Sequence, residues 1–236
     1  MKFLRIVHKQ GLSAPVLALA SASVVVTALV AYRILAGCMV WHAYLVWNLF
    51  LAWVPLVFAV LAAERFAASR HWRDRRLCLL FVGWLLFFPN APYIFTDVVH
   101  LSSGWRSSFW VELFMILLCA LTGFLAGFVS LQVMHGLVAR VHGRGVGWMF
   151  VGLVSGLAGF GVYLGRFVRL NSWDVLTNPL QLLEGAGAGV WLLATQWHHT
   201  KFVIVFTLFL LLGYGMLFAL TQRRDDFATL PPAGVQ

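Results

Sequence analysis

The sequence predicts an all-α, polytopic bundle of six membrane-spanning helices, and three observations carry that prediction. Apolar residues fill 61% of 236 positions and charged residues only 11%, a balance that a water-soluble domain of this size does not need. The apolar residues gather in six stretches, at 15–38, 41–63, 77–95, 108–134, 147–164 and 201–220, with basic clusters between several of them. Eleven Trp and 20 Phe fit aromatic girdles and a lipid-facing surface. The net charge of +9 sits in those short clusters and so is no nucleic-acid footprint. On this reading residues 1–13 are a cytoplasmic N-terminus, 14–221 the six-span domain and 222–236 a disordered cytoplasmic tail.

Lys2, Arg5 and Lys9 precede the first stretch in the manner of a secretory signal, and Ala20-Ser21-Ala22 has the small residues of a cleavage site. The apolar run continues through 24–31, long enough to cross a bilayer, so it reads as an uncleaved first helix. Leu35-Ala36-Gly37-Cys38 has the pattern of a lipobox, but Arg33 stands five residues before the cysteine, in a segment that should be uncharged. Arg33 reads instead as a helix-end residue that snorkels to the interface. Cys38, Cys78 and Cys119 lie in three separate segments and offer neither a disulfide framework nor a CxxC pair.

Residues 64–76 bring five arginines in 13 positions, and residues 135–147 form a second basic turn with Arg140 and Arg144. Gly143-Arg144-Gly145-Val146-Gly147 lacks the preceding strand and following Lys-Ser/Thr of a phosphate loop. The pairs Gly123/Gly127, Gly152/Gly156, Gly161/Gly165 and Ser155/Gly159 predict close packing of spans four and five, or a dimerisation surface. Between spans five and six, Asn178-Pro179 fits an N-cap and first helical position. A short apolar helix over 180–184, a glycine-rich interruption at 185–189 and an apolar segment over 190–198 then predict two interfacial helices, or a re-entrant hairpin. With both termini in the cytoplasm, twelve of the 17 Lys and Arg residues fall inside and five (Arg33, Arg106, Arg166, Arg169, Lys201) outside. The opposite orientation inverts that bias.

The most informative stretch closes span three: Phe88-Pro89-Asn90-Ala91-Pro92-Tyr93. Each proline removes a backbone donor and crowds the carbonyl four residues back, which frees carbonyls around Leu85 and Phe88. The apolar run before it, 77–88, has 12 residues and reaches about 18 Å, short of a ~30 Å hydrocarbon core. The span is therefore broken at Pro89–Pro92 at membrane depth, where irregular backbone survives only inside protein or beside a water-filled cavity. Asn48 or Arg166 is expected to hydrogen-bond backbone within 85–92. Beyond the break, Tyr93, Thr96, Asp97 and His100 are spaced to share one α-helical face.

Polar residues from four segments gather at the extracytoplasmic ends of these spans. His42 and Asn48 open span two, Asn90, Tyr93, Asp97 and His100 close span three, Glu112 opens span four, and Arg166, Arg169, Asn171 and Asp174 follow span five. Asp97 and His100, one helical turn apart, suit acid–base catalysis or joint ligation of a divalent metal, with His42, Glu112 or Asp174 as a further ligand. The bland reading of the same residues is a set of solvated groups and salt bridges. Arg166 and Arg169, at i and i+3, suit a bidentate grip on phosphate, or else salt bridges to Asp97 and Asp174. Asn48, Asn90, Tyr93, Arg166, Arg169, Asn171 and Asp174 are the candidate ligand-binding residues. His198-His199 are adjacent, point to different faces and make a poor chelate.

Three linked motifs give a resemblance. Trp47-Asn48-Leu49-Phe50-Leu51-Ala52-Trp53-Val54-Pro55, then Phe88-Pro89-Asn90-Ala91-Pro92-Tyr93 with Thr96-Asp97 and His100-Leu101, form the first two. Tyr163-Leu164-Gly165-Arg166-Phe167 with Arg169 and Asn171-Ser172-Trp173-Asp174 forms the third. Together they resemble the bacterial multi-pass membrane family catalogued as domain of unknown function 1361, over residues 41–220, with Leu170 standing where an aromatic residue is expected. The resemblance implies a bacterial cytoplasmic-membrane protein and brings no activity with it.

Two classes of function fit these residues, with a third that needs no site. The first is an enzyme or binding protein at the outer leaflet for a phosphate-bearing lipid or polyprenyl carrier. The second is a small-solute transporter or binding subunit using the broken third span, against which stands the lack of a second such break in an inverted repeat. The third is a structural partner in an envelope complex. The orientation has a direct test: in intact cells a cysteine at Ser103 or Ser172 reacts with an impermeant thiol reagent and one at Ser69 does not. Labelling at Ser69 alone overturns the topology.

Overall fold

The computed structural model describes residues 2–35, 43–69, 71–72, 74–101 and 109–228, and their side chains except at 2, 3, 100, 101, 176 and 222–228. Cys38, His42, Arg106 and residues 229–236 lie outside the described residues, as does the side chain of His100. In chain order the elements are α1 (Lys2–Lys9), α2 (Ser13–Leu35), α3 (Ala43–Ser69), α4 (Arg75–Phe87) and α5 (Asn90–Tyr93). A 3-10 helix (Ile94–Leu101), α6 (Phe109–His142), α7 (Arg144–Tyr163) and a π-helical turn (Leu164–Val168) follow. The chain then forms α8 (Asp174–Thr177), α9 (Pro179–Thr195) and α10 (Trp197–Ala228).

Among the described residues six helical segments are long and apolar enough to cross a membrane: Ser13–Leu35, Ala43–Ser69, Arg75–Val99, Phe109–His142, Arg144–Val168 and Trp197–Thr221. The all-α, six-span architecture is the one expected from hydropathy. Leu17, Leu79, Leu153 and Leu212 are each more than half exposed. Apolar residues on the outside and small residues within are what a lipid solvent selects.

Several boundaries differ from the sequence reading. Positions expected in the cytoplasmic N-terminus form α1, whose Ile6 and Val7 bury against Val16, Leu19, Leu56 and Val60 while Arg5, His8 and Lys9 stay exposed. Helix α6 continues through 135–142, where a basic turn was expected. His135 is buried there, with Nδ1 2.8 Å from the Tyr214 hydroxyl of α10 and Trp148 packed edge-on. Burial of that side chain keeps the segment helical, and the turn contracts to Gly143, whose φ of 94° suits glycine. At the other end of the basic loop, Asp74 caps α4 by accepting from the Arg76 amide at 2.9 Å and also pairs with Arg65. The Arg65 guanidinium holds the Asp74 carboxyl below the usual carboxylate range. Helix α10 extends to Ala228, through positions expected in the tail.

The glycines do different work from that expected. Residues 185–189 interrupt nothing, because α9 is one helix of 17 residues. A Cβ at Gly185 would lie 2.9 Å from the Leu170 side chain, and one at Gly189 would lie 2.6 Å from Leu164. These two glycines let α9 lie against the π-helical turn and the loop that follows it. Likewise Gly123 and Gly127 of α6 receive span three, with added Cβ atoms 2.7 Å from Ile94 and Ala91 respectively. A Cβ at Gly161 of α7 would lie 2.7 Å from Pro89, and one at Gly165 of the π-helical turn 3.2 Å from the Tyr93 ring. So α6 and α7 hold the proline segment between two glycine faces. Elsewhere on α7, Gly159 meets Thr207 of α10 and not span four as expected, and Gly152 and Gly156 face open space.

This arrangement predicts a contrast between glycines. Gly127→Val forces Ala91 to move and lowers stability by ~1–3 kcal/mol. Gly152→Ala meets nothing within 4 Å and is neutral or better, since alanine is the better helix former. Thermal denaturation of both purified variants checks this, and equal losses contradict it.

Candidate functional site

Two prolines set the local geometry at the end of span three. Pro92 has no amide for the Phe88 carbonyl, and the Ala91 amide turns to that carbonyl instead, at 3.1 Å. The Phe87 carbonyl, which Ala91 would serve in a regular α-helix, accepts from Asn90 Nδ2 at 3.0 Å. The Leu86 carbonyl accepts from the Ser172 hydroxyl at 3.0 Å, and Ser172 Oγ in turn accepts from Asn90 Nδ2 at 2.9 Å. Phe88, Ala91 and Pro92 are buried, so side chains replace donors that water is not there to supply. The side-chain acceptors are thus Leu86 and Phe87, not Leu85 and Phe88 as the sequence suggested. Asn48, expected to serve this backbone, has its amide elsewhere.

That amide is on Asp97, which is 2% exposed: Asn48 Nδ2 donates to Oδ2 at 3.0 Å and Arg166 donates to Oδ1 at 3.4 Å. Three elements meet at this carboxylate: α3, the 3-10 helix and the π-helical turn. The 3-10 geometry changes which residues share a face. At three residues per turn, Tyr93 and Thr96 align, while Asp97 aligns with Ile94 on a buried side. Of the face expected from α-helical spacing, Tyr93 and Thr96 are therefore separated from Asp97. Thr96 instead spends its hydroxyl on the Tyr93 carbonyl, at 2.7 Å.

The Leu164–Val168 turn ends at Arg169, whose φ of 65° and ψ of 35° lie in the left-handed region. For a residue with a Cβ this costs ~1–2 kcal/mol. The amides of Arg169 and Leu170 both donate to the Leu164 carbonyl, which holds the turn closed. π-helical turns and left-handed non-glycine residues both concentrate at functional sites. Here they bring Tyr93, Gly165, Arg166, Arg169 and Asn171 around an open pocket of about 550 Å³. Arg166 is pinned by Asp97, whereas Arg169 is exposed and its guanidinium makes no hydrogen bond or ion pair among the described residues. Trp47 of α3 meets Trp173 edge-on at 6.0 Å beside this cluster.

Four of the seven expected ligand residues, Tyr93, Arg166, Arg169 and Asn171, line the pocket. Asn48 and Asn90 instead brace Asp97 and the proline segment. Asp174 is turned to its own chain: Oδ2 accepts the Asn171 amide at 2.7 Å in the manner of a capping box, and Oδ1 accepts from Thr177. Glu112, a candidate metal ligand, pairs with Arg33 of α2 at 2.5 Å. Arg33 thus bridges two spans instead of snorkelling, and its side chain is only 11% exposed. Among the described residues no three His, Cys, Asp or Glu side chains stand close enough to hold a metal ion. Ser172 was not read as a site residue from sequence, and Gly165 only as half of a small-residue packing pair, although both lie inside the third motif, where their spacing to Asp174 and Arg166 was the available signal.

Comparison with known proteins adds one finding. No curated protein and no solved structure matches the chain. A model of the family described as "Protein of unknown function (DUF1361)" matches residues 47–212, a segment that contains all three motifs and every element from most of α3 to the middle of α10. The chain is a multi-pass membrane protein that belongs to the DUF1361 family.

Proposed function

We propose that this protein binds the phosphate group of an anionic lipid or polyprenyl carrier in the Arg166/Arg169 pocket, at the extracytoplasmic surface of a bacterial cytoplasmic membrane. The observation that carries the reading is the division of labour between the two arginines. Asp97 fixes Arg166, while Arg169 is held on the pocket wall at a backbone cost and has no partner among the described residues. A guanidinium fork presented this way matches the oxygens of a phosphate. The neighbouring α9 supports a ligand that arrives from the bilayer: Leu180, Leu183, Val190 and Trp191 are all more than half exposed, and Gly185 seats the helix on Leu170 next to the pocket. The twelve-to-five basic asymmetry supplies the orientation. Asp97 has both oxygens engaged by Asn48 and Arg166, which favours a binding and anchoring role over acid–base chemistry.

The test uses protein in phosphatidylcholine nanodiscs with and without phosphatidylglycerol. The anionic lipid raises the melting temperature of the parent. Arg169→Gly abolishes that increment yet melts at or above the parent in phosphatidylcholine alone, because glycine removes ~1–2 kcal/mol of left-handed strain. An Arg169→Gly protein that keeps the full increment contradicts the reading.

A further inference from the structure

We infer that Asp97 is a positioning residue that sets the charge of the ligand, so that the pocket prefers a singly charged phosphodiester to a doubly charged phosphomonoester. This rests on the phosphate-binding reading above and goes one step further. The pocket wall carries two guanidinium groups, and the buried carboxylate 3.4 Å behind Arg166 offsets one of them. Two positive charges less one leave a single net positive charge facing the ligand. Because the Asp97 side chain is only 3% exposed, salt and water screen it little, and its charge is felt in the pocket. Asp174, the carboxylate that follows this segment, is committed to the Asn171 amide and Thr177 and does not line the pocket, so it stands outside that balance.

A phosphodiester carries one negative charge, whereas a phosphomonoester carries about −1.5 to −2 at pH 7 and approaches −2 at higher pH. The single net charge of the pocket balances the first and leaves the second with an uncompensated charge facing Asp97. Like charges set against each other at a desolvated contact are a strong source of discrimination. The preferred ligand is thus a monoanionic phosphodiester, whether on a lipid headgroup or free in solution.

The experiment measures the affinity of the parent at pH 8 in nanodiscs for phosphatidylglycerol, a diester, and phosphatidate, a monoester. Glycerophosphoglycerol, the same diester without acyl chains, is added to phosphatidylcholine discs as the soluble arm. The parent binds the diester lipid more tightly. Asp97→Asn moves the ratio towards phosphatidate by about tenfold, which corresponds to ~1.4 kcal/mol. Asp97→Asn with Arg166→Gln weakens both lipids but returns the ratio to that of the parent, since the net charge is restored. A merely structural role for Asp97 lowers both affinities together and leaves the ratio alone.

A parent that binds phosphatidate as tightly as phosphatidylglycerol overturns the inference without any variant, as does a ratio that Asp97→Asn does not move. In both cases the phosphate reading survives. Binding of neither lipid and of no soluble diester removes the phosphate reading, and this inference with it. Response to glycerophosphoglycerol as well as the lipid supports the shared chemistry with the acyl chains uninvolved; response to the lipid alone supports it with the bilayer as the source.

Discussion

The rest of the structure depends on how carbonyls near Pro89 and Pro92 find donors inside a helix bundle. An unpaired carbonyl in apolar surroundings costs about 1–3 kcal/mol, a large part of the net stability of a domain. Asn90 uses both amide protons, one on Phe87 and one on Ser172, and Ser172 passes its own proton to Leu86. That chain of bonds ties span three to a segment 82 residues further on. Since Ser172 follows the π-helical turn directly, satisfying the proline segment also fixes where Arg166 and Arg169 stand relative to Tyr93 and Asp97. The pocket is a by-product of backbone accounting.

Close approach makes the accounting possible. A side chain larger than hydrogen on Gly123, Gly127 or Gly161 would push the proline segment away from α6 or α7. Gly165 does the same beside Tyr93, within the motif that carries Arg166. The buried Asp97 then locks the assembled elements. Removing the Arg166 guanidinium leaves the buried Asp97 charge uncompensated at ~3–5 kcal/mol, so Arg166 holds the geometry more firmly than its distance alone suggests, and Asn48 adds a charge-assisted hydrogen bond.

Much of this was legible in the sequence, and the remainder was hidden for physical reasons. Hydropathy gives six spans because lipid demands long apolar helices, and Pro89 and Pro92 mark the irregular segment because their missing donors are intrinsic to the residue. Tyr93, Arg166, Arg169 and Asn171 were read as a group because two motifs end at one side of the bundle. Ser172 escaped because its partner Leu86 is 86 residues away. The 185–189 glycines looked like a break because Leu164 and Leu170, which they accommodate, are supplied by another part of the chain. The turn at 135–147 was read too long because Tyr214, which buries His135, comes from α10. Asp97 parts from Tyr93 and Thr96 because the helix tightens to 3-10 winding there, a choice made by packing and not by spacing.

The central claim is that Asn90 and Ser172 act together to complete the backbone of the proline segment. A double-mutant cycle measures this: Asn90→Ala, Ser172→Ala and the pair, by reversible denaturation in one detergent. The account predicts that the two losses do not add, with a coupling of ~1 kcal/mol between residues that share a hydrogen bond. Losses that add to within ~0.3 kcal/mol contradict it, for then the two side chains act independently and the proline segment is not held by the loop that follows span five.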